Sequence, residues 1–206
     1  MLQPLWRKPP GHPRAPQKTE TYAPQSPQAP AVLFVCTANR IRSPLAQHML
    51  LELLRRQRGE TGSPDLQWRV ESAGVWAEDG LPVLEQVIRA GREYGLDLSR
   101  HRSRSAAVIG LHQFDLILTM ERVHAATLCN EFPQICGRAL TVGAALTGRE
   151  FEVVDPPHHS RRAVRATADE LAALLASGLN RLQEQVALAR QQDNYPIKRL
   201  VAQRRK

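Results

Sequence analysis

Residues 31–35, Ala-Val-Leu-Phe-Val, form an unbroken apolar run that ends on Cys36. A run this short and this apolar fits a strand covered on both faces. After the intervening loop, Ser43 reads as an N-cap and Pro44 as the first helical position. Beyond them Leu45, Met49 and Leu53 fall on one row and Ala46, Leu50 and Leu54 on the next, the stripe of a core-facing helix. Gly59, Gly62 and Pro64 close that segment with a surface loop. A buried strand that feeds such a helix is the opening of a β-α-β unit, and this constrains the fold more than any other feature.

The alternation continues. Residues 68–74 (WRVESAG) read as a second strand and residues 81–95 as a helix stopped at Gly95. Residues 105–113 predict a short helix, 114–120 (FDLILTM) a third strand and 121–132 a further helix. Residues 138–142 (RALTV) predict a weaker fourth strand. Thr167-Ala168-Asp169-Glu170 has the form of a capping box. It is expected to open a long helix to about Arg190 with Leu171, Leu174, Leu175, Leu182 and Val186 inward. Crossovers of this length imply an α/β fold, a three-layer sandwich with a central parallel sheet flanked by helices. Ligands of such sheets bind outside the carboxyl ends of the strands, where Cys36 lies.

The net charge of +8 suggests a nucleic-acid binder until it is located. Residues 1–30 contribute +3, residues 190–206 contribute +5, and the body between sums to zero. The basicity belongs to two tails rather than to a groove, so nucleic acid is not an expected partner beyond a weak attraction to the tails. Residues 1–30 are Pro-rich and read as a disordered basic leader, 31–190 as one ordered domain and 191–206 as a basic tail. No apolar stretch is long enough for a membrane span, and the N-terminus lacks the apolar segment of a secretory signal. The expected location is cytoplasmic. The three cysteines, Cys36, Cys129 and Cys136, are expected as free thiols.

The segment Cys36-Thr37-Ala38-Asn39-Arg40-Ile41-Arg42 joins a strand end to a helix start. Its backbone N–H groups can turn inward as an anion nest, reinforced by the helix N-terminus. Asn39 tolerates the left-handed conformation such a loop needs. Arg42 can fork two donors onto a phosphate-like oxyanion. The same field favours thiolate over thiol at Cys36, positioned for in-line attack on phosphorus. Ser43 would hydrogen-bond the sulfur. Asp155, in the Pro-containing segment FEVVDPPHHS, is the candidate proton donor to the leaving group and, afterwards, the base that activates water.

At these residues the sequence resembles the low-molecular-weight protein tyrosine phosphatase family. Ordered matches run from about residue 31 to 190: VLFVCTANRIRSPLAQ, VESAGVWAEDGLP, GLDLSRHRSR, FDLILTMERVH and VVDPP. The resemblance implies a four-stranded, flavodoxin-like sheet and no metal or cofactor. It implies Cys36 as nucleophile, Arg42 as phosphate clamp, Ser43 as thiol partner and Asp155 as general acid, with the loop from Thr37 to Arg42 binding phosphate. Asn39, Ser72 and His101 would form a network holding that loop. The implied partners are a phosphorylated protein or small phosphomonoester, with inorganic phosphate or other oxyanions as ligands.

This chain also departs from the family pattern. Ala38 replaces the usual glycine, so the loop must avoid positive φ there or accept strain. Ile41 replaces a second cysteine, so disulfide protection of Cys36 within the loop is lost. Arg40 stands where an apolar wall residue is common, and a second guanidinium would bind more anion or clash with the family's ligands. Pro157, His158 and His159 replace aromatics after Asp155-Pro156, leaving Trp76, with Pro157 and His158, as candidate substrate wall. The two histidines read as loop residues, with no third ligand for a metal. Alternatives on the same scaffold are a protein arginine phosphatase, a thiol-dependent arsenate reductase drawing on Cys129 and Cys136, and a phosphate-binding protein with little turnover.

Overall fold

A computed structural model of the protein describes residues 29–61 and 68–194. The described chain runs β1 (Ala31–Cys36), α1 (Arg42–Thr61), β2 (Arg69–Gly74), α2 (Glu85–Glu93), β3 (Leu116–Thr119), α3 (Arg122–Glu131), β4 (Ala139–Thr141), α4 (Val142–Thr147) and α5 (Arg161–Asn194). The four strands form one sheet in the order β2-β1-β3-β4, with every neighbouring pair parallel. This is the α/β sandwich expected from the sequence.

Strand β1 is central, and its side chains alternate between two cores. Val32, Phe34 and Cys36 face a cluster completed by α1, α2, α4 and α5. Ala31, Leu33 and Val35 face a second cluster with Phe114, Leu128 on α3 and Ile135. All six residues of β1 are buried, which is why the run carries no polar alternation. Each fully buried Leu or Phe contributes on the order of 2 kcal/mol by removal from water. The chain leaves β1 toward β2 on one side and returns past it to β3 on the other. The carboxyl end of β1 therefore lies where the winding reverses, the place where an open α/β sheet leaves a crevice.

Several boundaries differ from expectation. Helix α1 begins at Arg42, so Ser43 is not its N-cap; that hydroxyl is turned to the loop instead. Gly59 lies inside α1, while Gly62 and Pro64 fall outside the described residues. Residues 105–113 form two short 3-10 turns, Ala106–Val108 and Leu111–Gln113, in place of one helix. Thr167 does not cap α5: it lies inside the helix and its hydroxyl donates to the Ala163 carbonyl. Ser160 provides the cap, its Oγ accepting from Ala163 N–H at 3.2 Å. Capping chemistry is local, and two polar candidates six or seven residues apart cannot be ranked until packing fixes the first turn. Gly95 closes α2 with φ +74°, as anticipated. The N-terminal leader and most of the basic tail, residues 1–28 and 195–206, lie outside the described residues. Among the described residues no helix is long and apolar enough to cross a membrane.

Candidate active site

The loop from Cys36 to Arg42 sits at the end of β1, and Asn39 is the residue around which it turns. Asn39 is fully buried and left-handed, with φ 55°. Its side-chain amide donates to Ser43 Oγ and to Ser72 Oγ, each at 2.9 Å. Its Oδ1 accepts from the Arg104 N–H at 2.9 Å, and its carbonyl oxygen accepts from His101 Nε2 at 3.1 Å. These four bonds hold a backbone conformation that otherwise costs about 1 kcal/mol or more. Ala38 does not share it: among the described non-glycine residues positive φ occurs at Asn39, His158 and His159. The missing loop glycine is thus accommodated without strain. Ser72 donates onward to Gln47 Oε1 at 2.6 Å.

His101 has a carbonyl for a partner at Nε2, so that nitrogen carries a proton. Burial drives its pKa down from 6.5 to about 4. Gly74 ends β2 against this loop. A Cβ there would lie 2.5 Å from the Thr37 carbonyl oxygen and 2.9 Å from the Asn39 nitrogen. The Ser-Ala-Gly segment therefore ends on the one residue type that lets β2 approach the loop backbone.

Two donors face the sulfur of Cys36. Ser43 Oγ lies at 3.0 Å and the Asn39 N–H points to it at 3.3 Å. Ser43 has one proton and two acceptors for it, the sulfur and the Ala73 carbonyl at 3.2 Å. With a thiol at Cys36, the S–H donates to Ser43 Oγ while the hydroxyl donates to Ala73. With a thiolate, the hydroxyl rotates to the sulfur. A single rotor thus follows the charge on Cys36. The N–H groups of Ala38, Arg40 and Ile41 have no backbone acceptor among the described residues, as an anion nest requires.

Arg42 is almost completely buried. Its Nη1 donates to the Val153 carbonyl at 3.0 Å and to the Glu121 carboxylate. Its Nη2 donates to Thr37 Oγ1 at 3.0 Å and pairs with Asp155 Oδ1 at 2.9 Å. Its Nε is a buried donor with no partner among the described residues. A buried guanidinium with one unused donor is costly on its own and suits an incoming oxyanion. The segment bearing Asp155 is fastened at Val153, whose N–H donates to the Met120 carbonyl at 2.9 Å and whose carbonyl accepts from Arg42. Asp155 Oδ2 also meets His159 Nε2 at 3.0 Å.

The structure gathers Cys36, Asn39, Ser43, Ser72 and His101 into one hydrogen-bonded network and Thr37, Arg42 and Asp155 into another, the two meeting along the loop at Cys36-Thr37 and Arg42-Ser43. Trp76 is half-exposed, and its ring meets the edge of His124 with centroids 6.5 Å apart. Pro157 and His158 are exposed beyond Asp155, with His158 left-handed at φ 54°. Among the described residues no group of three His, Cys, Asp or Glu side chains is placed to hold a metal ion.

Sequence reasoning missed Glu121 and His124. Glu121 follows β3, whose carboxyl end is level with that of β1 in a parallel sheet, so an acid there was a legible candidate. It pairs with Arg42 and caps α3 by accepting the His124 N–H. His124 Nδ1 accepts from the Glu121 N–H at 3.1 Å, which places its ring proton on Nε2. Nε2 lies 3.0 Å from Thr37 Oγ1. Burial and the positive charge of Arg42 lower the His124 pKa, favouring this neutral form.

Comparison with known proteins accords with the geometry. The family model described as low molecular weight phosphotyrosine protein phosphatase matches residues 31–188. The low molecular weight protein-tyrosine-phosphatase Wzb of Escherichia coli K12 is 33% identical over 135 residues, which is 66% of this chain and 83% of that protein. A protein-arginine-phosphatase of Bacillus subtilis is 28% identical over 144 residues, 70% of this chain and 91% of that protein. Among solved structures, a YwlE mutant from Bacillus subtilis superposes with a TM-score of 0.66 at 27% identity, covering 80% of this chain and 99% of that one. The low molecular weight protein tyrosine phosphatase from T. tengcongensis gives 0.65 at 31% identity, covering 75% and 100%. With the matched region spanning the whole sheet and the loop at its edge, this chain belongs to the low molecular weight phosphotyrosine protein phosphatase family.

Proposed function

We propose that the protein hydrolyses phosphotyrosine on proteins in the cytoplasm, with Cys36, Arg42, Ser43 and Asp155 carrying the chemistry. The observation that supports it most is the position of Arg42 Nη2 between Thr37 Oγ1 and Asp155 Oδ1, at 3.0 and 2.9 Å. One guanidinium links the phosphate loop to the proton donor. The dianionic phosphoryl group enters the loop and takes the free Nε of Arg42 together with Nη2. Asp155 is thereby displaced from Arg42 and left beside the leaving-group oxygen, where its protonated carboxyl can serve as the acid. Cys36 thiolate attacks phosphorus, the P–O bond to the leaving group breaks, and the departing oxygen takes the proton of Asp155. Water then attacks the cysteinyl phosphate while Asp155 carboxylate accepts its proton. The S–P bond breaks, inorganic phosphate leaves, and the Ser43 hydroxyl rotates onto the sulfur as its charge returns.

Choice of tyrosine over arginine rests on Arg40. A phosphorylated arginine carries a cationic guanidinium next to phosphorus, and Arg40 at the loop repels it. A phenyl ring meets no such penalty and can lie against Trp76 or the face of a guanidinium. Hydrolysis of p-nitrophenyl phosphate by the wild type and by Cys36→Ser tests the chemistry, and paired phosphotyrosine and phosphoarginine peptides test the choice. Activity retained by Cys36→Ser would refute the mechanism, and faster turnover of phosphoarginine would refute the substrate.

A further inference from the structure

The rim next to the phosphate loop carries two guanidinium groups that take no part in the bond-making steps above, although Arg40 bears on the choice of substrate. Arg40 donates from Nε to the Pro82 carbonyl at 2.8 Å. Arg102 is the antiparallel bridge partner of Pro82, and its Nη1 donates to the carbonyls of Ser99 and His101 at 3.1 and 2.8 Å. Both side chains are oriented by main-chain oxygens, and among the described residues neither has a carboxylate partner. Neighbouring acids are engaged elsewhere. Asp79 accepts the Ser105 N–H, Glu85 pairs with Arg89, and Asp97 accepts the Ser99 N–H. Glu78, which is exposed, pairs with neither arginine. Arg104, the next cation along, is already bridged to Glu71.

Arg40 reaches Pro82 through its guanidinium and Arg102 adjoins Pro82 through its backbone, so both cations belong to one stretch of rim, where an anion is favoured. Their fixed main-chain bonds also mean that little side-chain entropy remains to be lost when one binds. From this geometry we infer that Arg40 and Arg102 form a second anion-recognition site, which selects phosphorylated peptides bearing an acidic residue adjacent to the phosphorylated one. The inference rests on the phosphatase reading above and adds to it the charge of the flanking sequence.

The test uses the full chain and three phosphotyrosine peptides that differ only in Asp, Ala or Lys next to the phosphotyrosine. At low salt the Asp peptide is expected to exceed the Lys peptide in kcat/KM by about tenfold, mostly through KM, with the preference shrinking as salt screens the rim. In Arg40→Gln/Arg102→Gln the Asp-to-Lys ratio is expected to fall to near one. The ratio is read within one protein, so a general loss of loop function cancels, and Arg102→Gln alone serves if the double variant does not fold. Equal turnover of the three peptides by a wild type that hydrolyses p-nitrophenyl phosphate overturns the rim site alone, as does a preference that survives the substitutions. A wild type inert toward p-nitrophenyl phosphate overturns the phosphatase reading. Peptide affinity for the Cys36→Ser protein then decides the rim, and equal affinities overturn it.

Discussion

His124 Nε2 lies 3.0 Å from Thr37 Oγ1, and this contact ties the first turn of α3 to the phosphate loop. Thr37 Oγ1 also accepts from Arg42 Nη2 at 3.0 Å. With both acceptor positions occupied, the threonine proton is free to donate to a ligand. His124 does not touch the reacting atoms in this reading; it positions Thr37. Substituting His124→Ala is expected to raise KM and weaken vanadate binding about tenfold, with a smaller effect on kcat. His124→Asn, which can still donate to Thr37, should recover most of the loss. A variant with unchanged vanadate affinity would show that the contact does not organise the loop.

The role of Asp155 has a signature that depends on the leaving group. Asp155→Ala is expected to slow turnover by about a hundredfold for a poor leaving group. The loss should be smallest for p-nitrophenolate, which departs with little help. A series of aryl phosphates measured with both proteins gives the slope directly. Equal losses across the series would remove Asp155 from the protonation step.

Acid should destabilise this protein through its buried histidines. Burial pushes the pKa of His101 down to about 4 from 6.5, and those of His48 and His124 down as well. A histidine kept neutral in the fold but free to charge when unfolded supports stability above the unfolded value. That support is lost as pH falls through the folded value. Thermal stability is therefore expected to decline between about pH 6.5 and 4. His101→Gln should lose stability at pH 7 and show a shallower decline across that window. An identical pH slope in the variant would locate the acid sensitivity elsewhere.

Gly74→Ala tests the approach of β2 to the loop. Its Cβ would fall 2.5 Å from the Thr37 carbonyl oxygen and 2.9 Å from Ala77 Cβ and the Asn39 nitrogen. Backbone cannot yield as a side chain does, so destabilisation of about 1–3 kcal/mol is expected in denaturant melts. Phosphate affinity should fall with it. Wild-type stability in the variant would mean that the loop shifts freely.

Cys129 and Cys136 are free thiols on and just after α3. Burial, with a hydrogen bond to Cys136, raises the Cys129 pKa to about 11, which leaves it a poor nucleophile. Cys129→Ser and Cys136→Ser are each expected to leave p-nitrophenyl phosphate turnover within about twofold of wild type. Loss of activity in either would favour a thiol-relay chemistry instead.

Much of this protein is determined locally. The apolar run of β1, the placement of Cys36 at its end and the left-handed tolerance of Asn39 follow from side-chain chemistry alone, and they fixed the fold class and the loop. β1 and β3 could be assigned to strands because burial on both faces leaves no polar alternation to obscure the pattern. Which residues surround Arg42 was another matter. Glu121, Thr37, Val153 and Asp155 reach its guanidinium from four segments, through side-chain and carbonyl directions that depend on strand register and on the fastening of Val153 to Met120. A buried charge takes its partners from whatever elements the sheet brings together, and sequence spacing carries no information about that. The partnership of Ser43 with the sulfur was legible in the sequence, whereas only the tertiary structure decided that Ser43 does not cap α1 and that Arg40 and Arg102 both meet Pro82, one by its side chain and one by its backbone.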